Sequence, residues 1–219
     1  LPTEMLVVTS DGCIGDKQND RKHHGGLNKA VCILQEEIIA DLANNGVSLP
    51  EMDGRPASNT YTHAYIIITN TFGLRGSVTI KNGSGDDVKY CSAANGDSTS
   101  GTTEGSFCTA QNHTETLDDF GDGSFSAYFP AETMDGGGKV SALLTAADAN
   151  LTTATNTGEV ERLIGVFETN SGTPVVINNS TNGLEMQLTV TDIGYGIQFV
   201  NGEPLDFGSM PFKPVFATF

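Results

Sequence analysis

Tryptophan is missing altogether, and only 17% of the residues are charged. Each shortage excludes something. Sugar-processing clefts stack their substrates on large aromatic faces, so the lack of Trp in a chain with 7% aromatics counts against a glycosidase. Charge at this density is too sparse for a long solvated helix bundle and for a charge-driven disordered chain. Basic residues are scarcest: 11 Lys and Arg stand against 27 Asp and Glu, a net charge of −16. Beyond residue 100 the imbalance sharpens to 3 basic against 15 acidic residues. Such a surface repels phosphate backbones and anionic lipid headgroups, whose binding depends on cationic side chains that release counterions. No nucleic-acid partner is expected. No apolar run approaches the ~18–20 residues that a membrane-spanning helix needs, so no membrane span is expected either.

Catalytic signatures are also lacking. The chain has no GxSxG, HExxH, GxGxxG, P-loop or Cys/His zinc spacing, and the expectation is a protein that is not an enzyme and requires no cofactor. Its 4 histidines are His23, His24, His63 and His113. Neighbouring side chains diverge on an extended backbone, so His23 and His24 read as a solvated loop pair rather than a metal site. His63, between Tyr61 and Tyr65, reads as ordinary packing. A pair of catalytic carboxylates leaves no sequence spacing, and a secreted hydrolase therefore stays open as a second alternative.

What is present is Gly, Ser, Thr, Asn and Asp around short apolar segments, with apolar residues at 37%. That composition predicts a mainly β fold, an antiparallel β-sandwich or barrel-like domain, with one amphipathic N-terminal α-helix. The helix is expected over 27–45, where Leu27, Val31, Leu34, Ile38 and Leu42 recur on one face, Gly46 offers a left-handed end and Pro50 stops continuation. An N-terminal segment, 1–59, would lay this helix on an antiparallel β domain, 60–219, the whole forming one compact unit.

Strand signals follow from residue 60. YIIIT (65–69) is apolar on both parities, as a strand covered on both faces would be, whereas SVTIK (77–81) and SFSAYF (124–129) alternate. In GLEMQLTVT (183–191), Leu184, Met186, Leu188 and Val190 share one parity and Glu185, Gln187, Thr189 and Thr191 the other, the pattern of a half-buried strand. Segments 92–106 and 148–158 read as surface loops too polar to pack. Both ends, LPTEMLVVT (1–9) and FKPVFATF (212–219), read as strands, with Pro211 and Pro214 placing the last at an edge. Either they pair within one domain, or the first is added to a neighbouring subunit with Leu6 and Val8 as anchors.

Four cysteines permit three pairings. Cys13–Cys32 and Cys91–Cys108 are expected, because each pair brackets a polar loop; each bridge contributes about 3 kcal/mol on a loop-closure argument. Disulfides, together with a start at Leu1 rather than at a basic, apolar leader, predict a secreted or cell-surface chain from which a leader has been removed. Asn-X-Ser/Thr triplets at Asn82, Asn112, Asn150, Asn178 and Asn179 are glycan acceptors only in a eukaryotic secretory setting.

One loop offers hard oxygen ligands: LDDFGDGS (117–124), where Asp118, Asp119 and Asp122 flank permissive glycines and could hold a structural calcium. A second acidic loop, 11–20, is interrupted by Lys17. Together these features predict a secreted structural or adhesive subunit of a filament, coat or surface layer. It would self-associate into a homopolymer or lattice through β-strand edges. The alternative is a secreted glycan- or protein-binding β module, with calcium as a stabiliser.

Overall fold

The computed structural model describes residues 5–9, 30–34, 57–94, 98–101, 108–134, 137–148, 151–189, 195–200, 203–209 and 213–219. The chain groups into two compact units, the first made of 1–70, 118–188 and 213–219, the second of 71–117 and 189–212.

The first unit contains β1 (Met5–Thr9), β2 (Ala30–Leu34), β3 (Asn59–Tyr61), β4 (His63–Thr69), β10 (Tyr128–Thr133), β11 (Lys139–Thr145), β12 (Arg162–Glu168), β13 (Val175–Ile177), β14 (Leu184–Thr189) and β17 (Lys213–Thr218). Its main sheet has six strands in the order β10-β11-β12-β4-β1-β2. β10 to β4 are antiparallel, but β1 runs parallel to both β4 and β2. The sheet is therefore mixed and open, without barrel closure among the described residues.

β4 is covered on both faces, as its unbroken apolar run requires: Ala64, Tyr65, Ile66 and Ile67 are all buried. One face carries Tyr65 and Ile67 against Ile164 and Leu151, with Leu143 and Val166 packed at the margin. The opposite parity buries Ala64, Ile66, Val140, Leu144 and Phe167. Gly165 of β12 lies beneath the Phe167 ring, which a Cβ there would approach to 2.9 Å. Each fully buried Ile, Leu or Phe contributes about 1.5–3 kcal/mol.

Three sequence expectations are corrected. Ala30–Leu34, inside the helix expected over 27–45, form β2 instead, and the rest of that helix lies outside the described residues. AVCIL is apolar on both parities, which suits a parallel strand as well as a helix face, and pairing with β1 decides for the strand. Segment 148–158 is not a purely superficial loop, since Leu151 and Ala154 are buried. Leu151, at φ 47°, adopts a left-handed turn that brings its side chain onto Tyr65 and Ile67. Within 92–106, Ser98–Gly101 form a strand, β8, because main-chain pairing with a neighbouring strand needs no apolar side chains.

β13 pairs with β3 and turns Val175 and Ile177 inward. β17 pairs with β14, where Leu184 and Met186 are half-buried while Glu185 and Gln187 are exposed, as the alternation predicts over these four positions. The buried Phe216 of β17 is held by one side chain: Asn170 Nδ2 donates to Phe216 O at 2.7 Å, and Phe216 N donates to Asn170 Oδ1 at 2.7 Å. This amide stands in for a strand residue. Asn170 has φ 44°, a conformation that Asn tolerates better than most residues.

The second unit contains β5 (Thr71–Leu74), β6 (Ser77–Lys81), β7 (Asp87–Ser92), β8, β9 (His113–Thr116), β15 (Tyr195–Val200) and β16 (Glu203–Ser209). They form an antiparallel three-stranded sheet β6-β7-β8 and the pairs β5-β9 and β15-β16. The expected Cys91–Cys108 bridge is present, with a Cα–Cα distance of 5.8 Å. Beside it the fully buried Ser92 bonds on two sides: its hydroxyl donates to Gln111 O at 2.8 Å, and its own N–H donates to Gly76 O at 3.1 Å. The bridge and this serine together tie the 108–111 segment to the end of β7. The Cys13–Cys32 pairing lies outside the described residues.

Candidate functional site

The acidic loop at 118–126 is organised around one carboxylate. Asp119 Oδ1 accepts from Gly121 N at 2.7 Å and from Ser126 N at 2.8 Å, and Phe120 N donates to Ser126 O at 2.9 Å. Those bonds explain why β10 starts at Tyr128 rather than at Ser124 as the alternation suggests: the chain through Ser126 is drawn into the turn. Gly121 is needed sterically, because a Cβ there would fall 1.7 Å from Ser124 O. Gly123 is needed conformationally, at φ 84°. Leu144 N donates to Ala127 O at 2.8 Å, and the Phe120 and Phe129 rings meet at 5.6 Å, so the loop is fastened to β11 and β10.

The electrostatics follow from the bonds. Backbone N–H donation from Ser126 first, and from Gly121 next, holds the Asp119 carboxyl below the usual carboxylate range. Asp118 is partly buried and Asp122 exposed. Among the described residues no group of three or more His, Cys, Asp and Glu side chains is gathered as a metal cluster. Asp119 thus acts as the internal acceptor of the turn. The acidic loop at 11–20, with His23 and His24, lies outside the described residues.

The remaining histidines fall in separate units. His113 is buried on β9. His63 Nδ1 lies 2.9 Å from Thr62 Oγ1, and His63 pairs in register with Glu168 of β12. Burial pushes the imidazole pKa below its ordinary value, and the Glu168 carboxylate partly opposes that shift. Glu168 Oε2 also accepts from Lys139 N at 3.1 Å, which fixes it at the sheet's end. These contacts lie at the paired ends of β4 and β12.

The two edges of the six-stranded sheet differ in kind. β10 carries Pro130, and its register with β11 shifts between Phe129 and Glu132, so it is interrupted by both a bulge and a residue that cannot donate. β2, the outermost strand on the other side among the described residues, reads AVCIL and has neither charge nor proline. β1 is paired on both sides, by β4 and by β2, so the main-chain groups around Leu6 and Val8 are used within the chain. Met5–Thr9 therefore pair within this chain's own sheet rather than offering a free strand. The asymmetry of the edges was not readable from sequence, because β2 looks helical until its partner is known.

Among the described residues no helix is long and apolar enough to cross a membrane. Comparison with protein-family models, with curated proteins and with solved structures finds no match to this chain.

Proposed function

We propose that the chain is an extracellular structural or adhesive subunit, a component of a filament, coat or surface layer, that self-associates through a sheet edge. The observation that carries this reading is the contrast between the two edges of the main sheet. An apolar edge strand free of proline and charge is a template for main-chain pairing with a second chain, whereas a bulged, proline-bearing edge resists it. Assembly would then run through β2 and not through β10. The Cys91–Cys108 bridge fits an oxidising compartment, and the acidic surface keeps unassembled subunits apart through charge repulsion.

The test is assembly itself. Negative-stain microscopy of native material should show ordered fibres or a lattice, and sedimentation should show association that rises with concentration. Ala30 and Val31 are consecutive in the regular part of the β1–β2 register, so Lys is introduced at each in turn; the variant that keeps the far-UV spectrum should lose assembly. A monodisperse monomer at every concentration, with no ordered material in the native preparation, rejects the proposal.

A further inference from the structure

The turn joining β6 to β7 sets up a reaction of the chain with itself. Asn82 and Gly83 stand at its tip, where Asn82 is exposed. Asn82 Oδ1 accepts from Ser84 N at 2.9 Å and from Asp86 N at 2.9 Å, while its Nδ2 faces Asp86 Oδ2 at 3.5 Å. The backbone locks the same turn: Asn82 N donates to Asp86 O, and Gly85 N to Asn82 O, each at 2.9 Å, with Gly85 at φ 88°. Gly83 makes no hydrogen bond among the described residues, and a Cβ built on it meets nothing within 4 Å. Its N–H is open to water on the residue that follows the amide.

We infer that Asn82–Gly83 is a site of self-catalysed deamidation. The Gly83 amide loses its proton to solvent hydroxide, and its nitrogen forms a bond to Asn82 Cγ. The carbonyl oxygen becomes a tetrahedral oxyanion, which faces the Ser84 and Asp86 N–H groups. Two fixed backbone donors aimed at a developing negative oxygen are the arrangement that lowers the barrier of acyl transfer. Collapse breaks the Cγ–Nδ2 bond, and ammonia leaves with a proton from water. The resulting five-membered imide is opened by water at either carbonyl, giving aspartate or isoaspartate. The net change is one water consumed and one ammonia released, with no oxidant or cofactor.

The molecule contains its own control. Asn182–Gly183 is the same dipeptide, but Gly183 N donates to Phe219 O at 3.0 Å, and the Phe219 ring fills the space where a Gly183 Cβ would stand, 2.2 Å from Cζ. An engaged, covered amide neither loses its proton readily nor swings toward the side chain. Conversion at Asn82 adds a carboxylate beside Asp86 and Asp87 and removes the Nδ2 contact to Asp86, so the hairpin tip gains negative charge as the protein ages.

The experiment incubates the chain, produced in a bacterial host that adds no glycan, at mildly alkaline pH in heavy-oxygen water. Peptide mapping then scores incorporation at each Asn, and an isoaspartate-specific methyltransferase scores the isomer. In the folded protein Asn82 should convert several-fold faster than Asn182, and that ratio should collapse toward unity in concentrated urea. Asn82→Gln should abolish the signal from this peptide, and Gly83→Val should slow it. Asn82 surviving while Asn182 converts overturns the inference. So does a ratio that is the same folded and unfolded, which would assign the rate to the dipeptide and not to the turn.

Discussion

Replacing Asn170 tests whether one side chain holds the C-terminal strand in place. Its amide makes both hydrogen bonds to the Phe216 backbone, each 2.7 Å, across 46 residues of sequence. Phe216 is only 3% exposed, so neither its N–H nor its C=O is readily re-bonded by water once the amide is gone. At about 0.5–1.5 kcal/mol net for each bond, Asn170→Gly should cost roughly 2 kcal/mol. Asn170→Ala should cost about 1 kcal/mol more, because φ 44° is a left-handed conformation that a Cβ disfavours. Asn170→Asp is the diagnostic variant. Its carboxylate still accepts from Phe216 N–H but sets a second acceptor against Phe216 O. Protonation restores a donor, so the folded state raises this carboxyl's pKa. The deficit relative to the parent should therefore be full at neutral pH and shrink as pH falls through the raised folded value toward the ordinary Asp value of about 3.9. Urea unfolding would measure the midpoints, and amide exchange at Phe216 would localise the effect. A 2 kcal/mol loss corresponds to more than about tenfold faster exchange if that amide opens with the affected unit. An unchanged midpoint and unchanged Phe216 protection in Asn170→Gly would refute the clamp.

Thr145 is fully buried on β11, and its hydroxyl has no hydrogen-bond partner among the described residues. Thr145→Val replaces it with a methyl of similar shape and should stabilise by about 1 kcal/mol in thermal or urea unfolding; destabilisation would reveal a partner for the hydroxyl. Asp119, with its carboxyl held below the usual range by Ser126 and Gly121 N–H donation, contributes stability that is present above the ordinary carboxyl pKa and is lost as pH falls through the lowered folded value. Asp119→Asn should keep the neutral-pH fold and flatten that acid limb, while Asp119→Ala should destabilise at neutral pH as well; identical acid titrations of parent and Asn variant would contradict this. Melting curves in calcium and in chelator test the calcium expectation: coincident curves would leave Asp119 as the internal acceptor of its turn alone. A calcium-dependent rise that vanishes when Asp118, Asp119 and Asp122 become Ala would instead make them ion ligands.

Local pattern determined a good deal about this protein on its own. Burial of a strand on both faces is written in an unbroken apolar run, so β4 was legible from YIIIT; burial on one face is written in alternation, so β14 was legible over Leu184–Gln187. The Cys91–Cys108 bridge could be inferred because the two cysteines flank a short polar excursion that nothing else in its composition would close. Choices between partners, by contrast, belong to tertiary structure. AVCIL fits a helix face and a parallel strand equally well, and only pairing beside β1 separates them. Ser98–Gly101 is a strand because another strand's main chain lies alongside, a bond type that side-chain pattern does not encode. Leu151 enters the core from a polar loop because its turn aims it at Tyr65 and Ile67, and Asn170 replaces a strand for a residue far along the chain. Asp119 shows the same division at the candidate site: a cluster of carboxylates announces oxygen ligands, but whether they face an ion or the loop's own N–H groups depends on how the backbone closes around them. Propensity and period act over a few neighbouring residues, whereas hydrogen-bond partners and shared faces are settled only when distant segments meet.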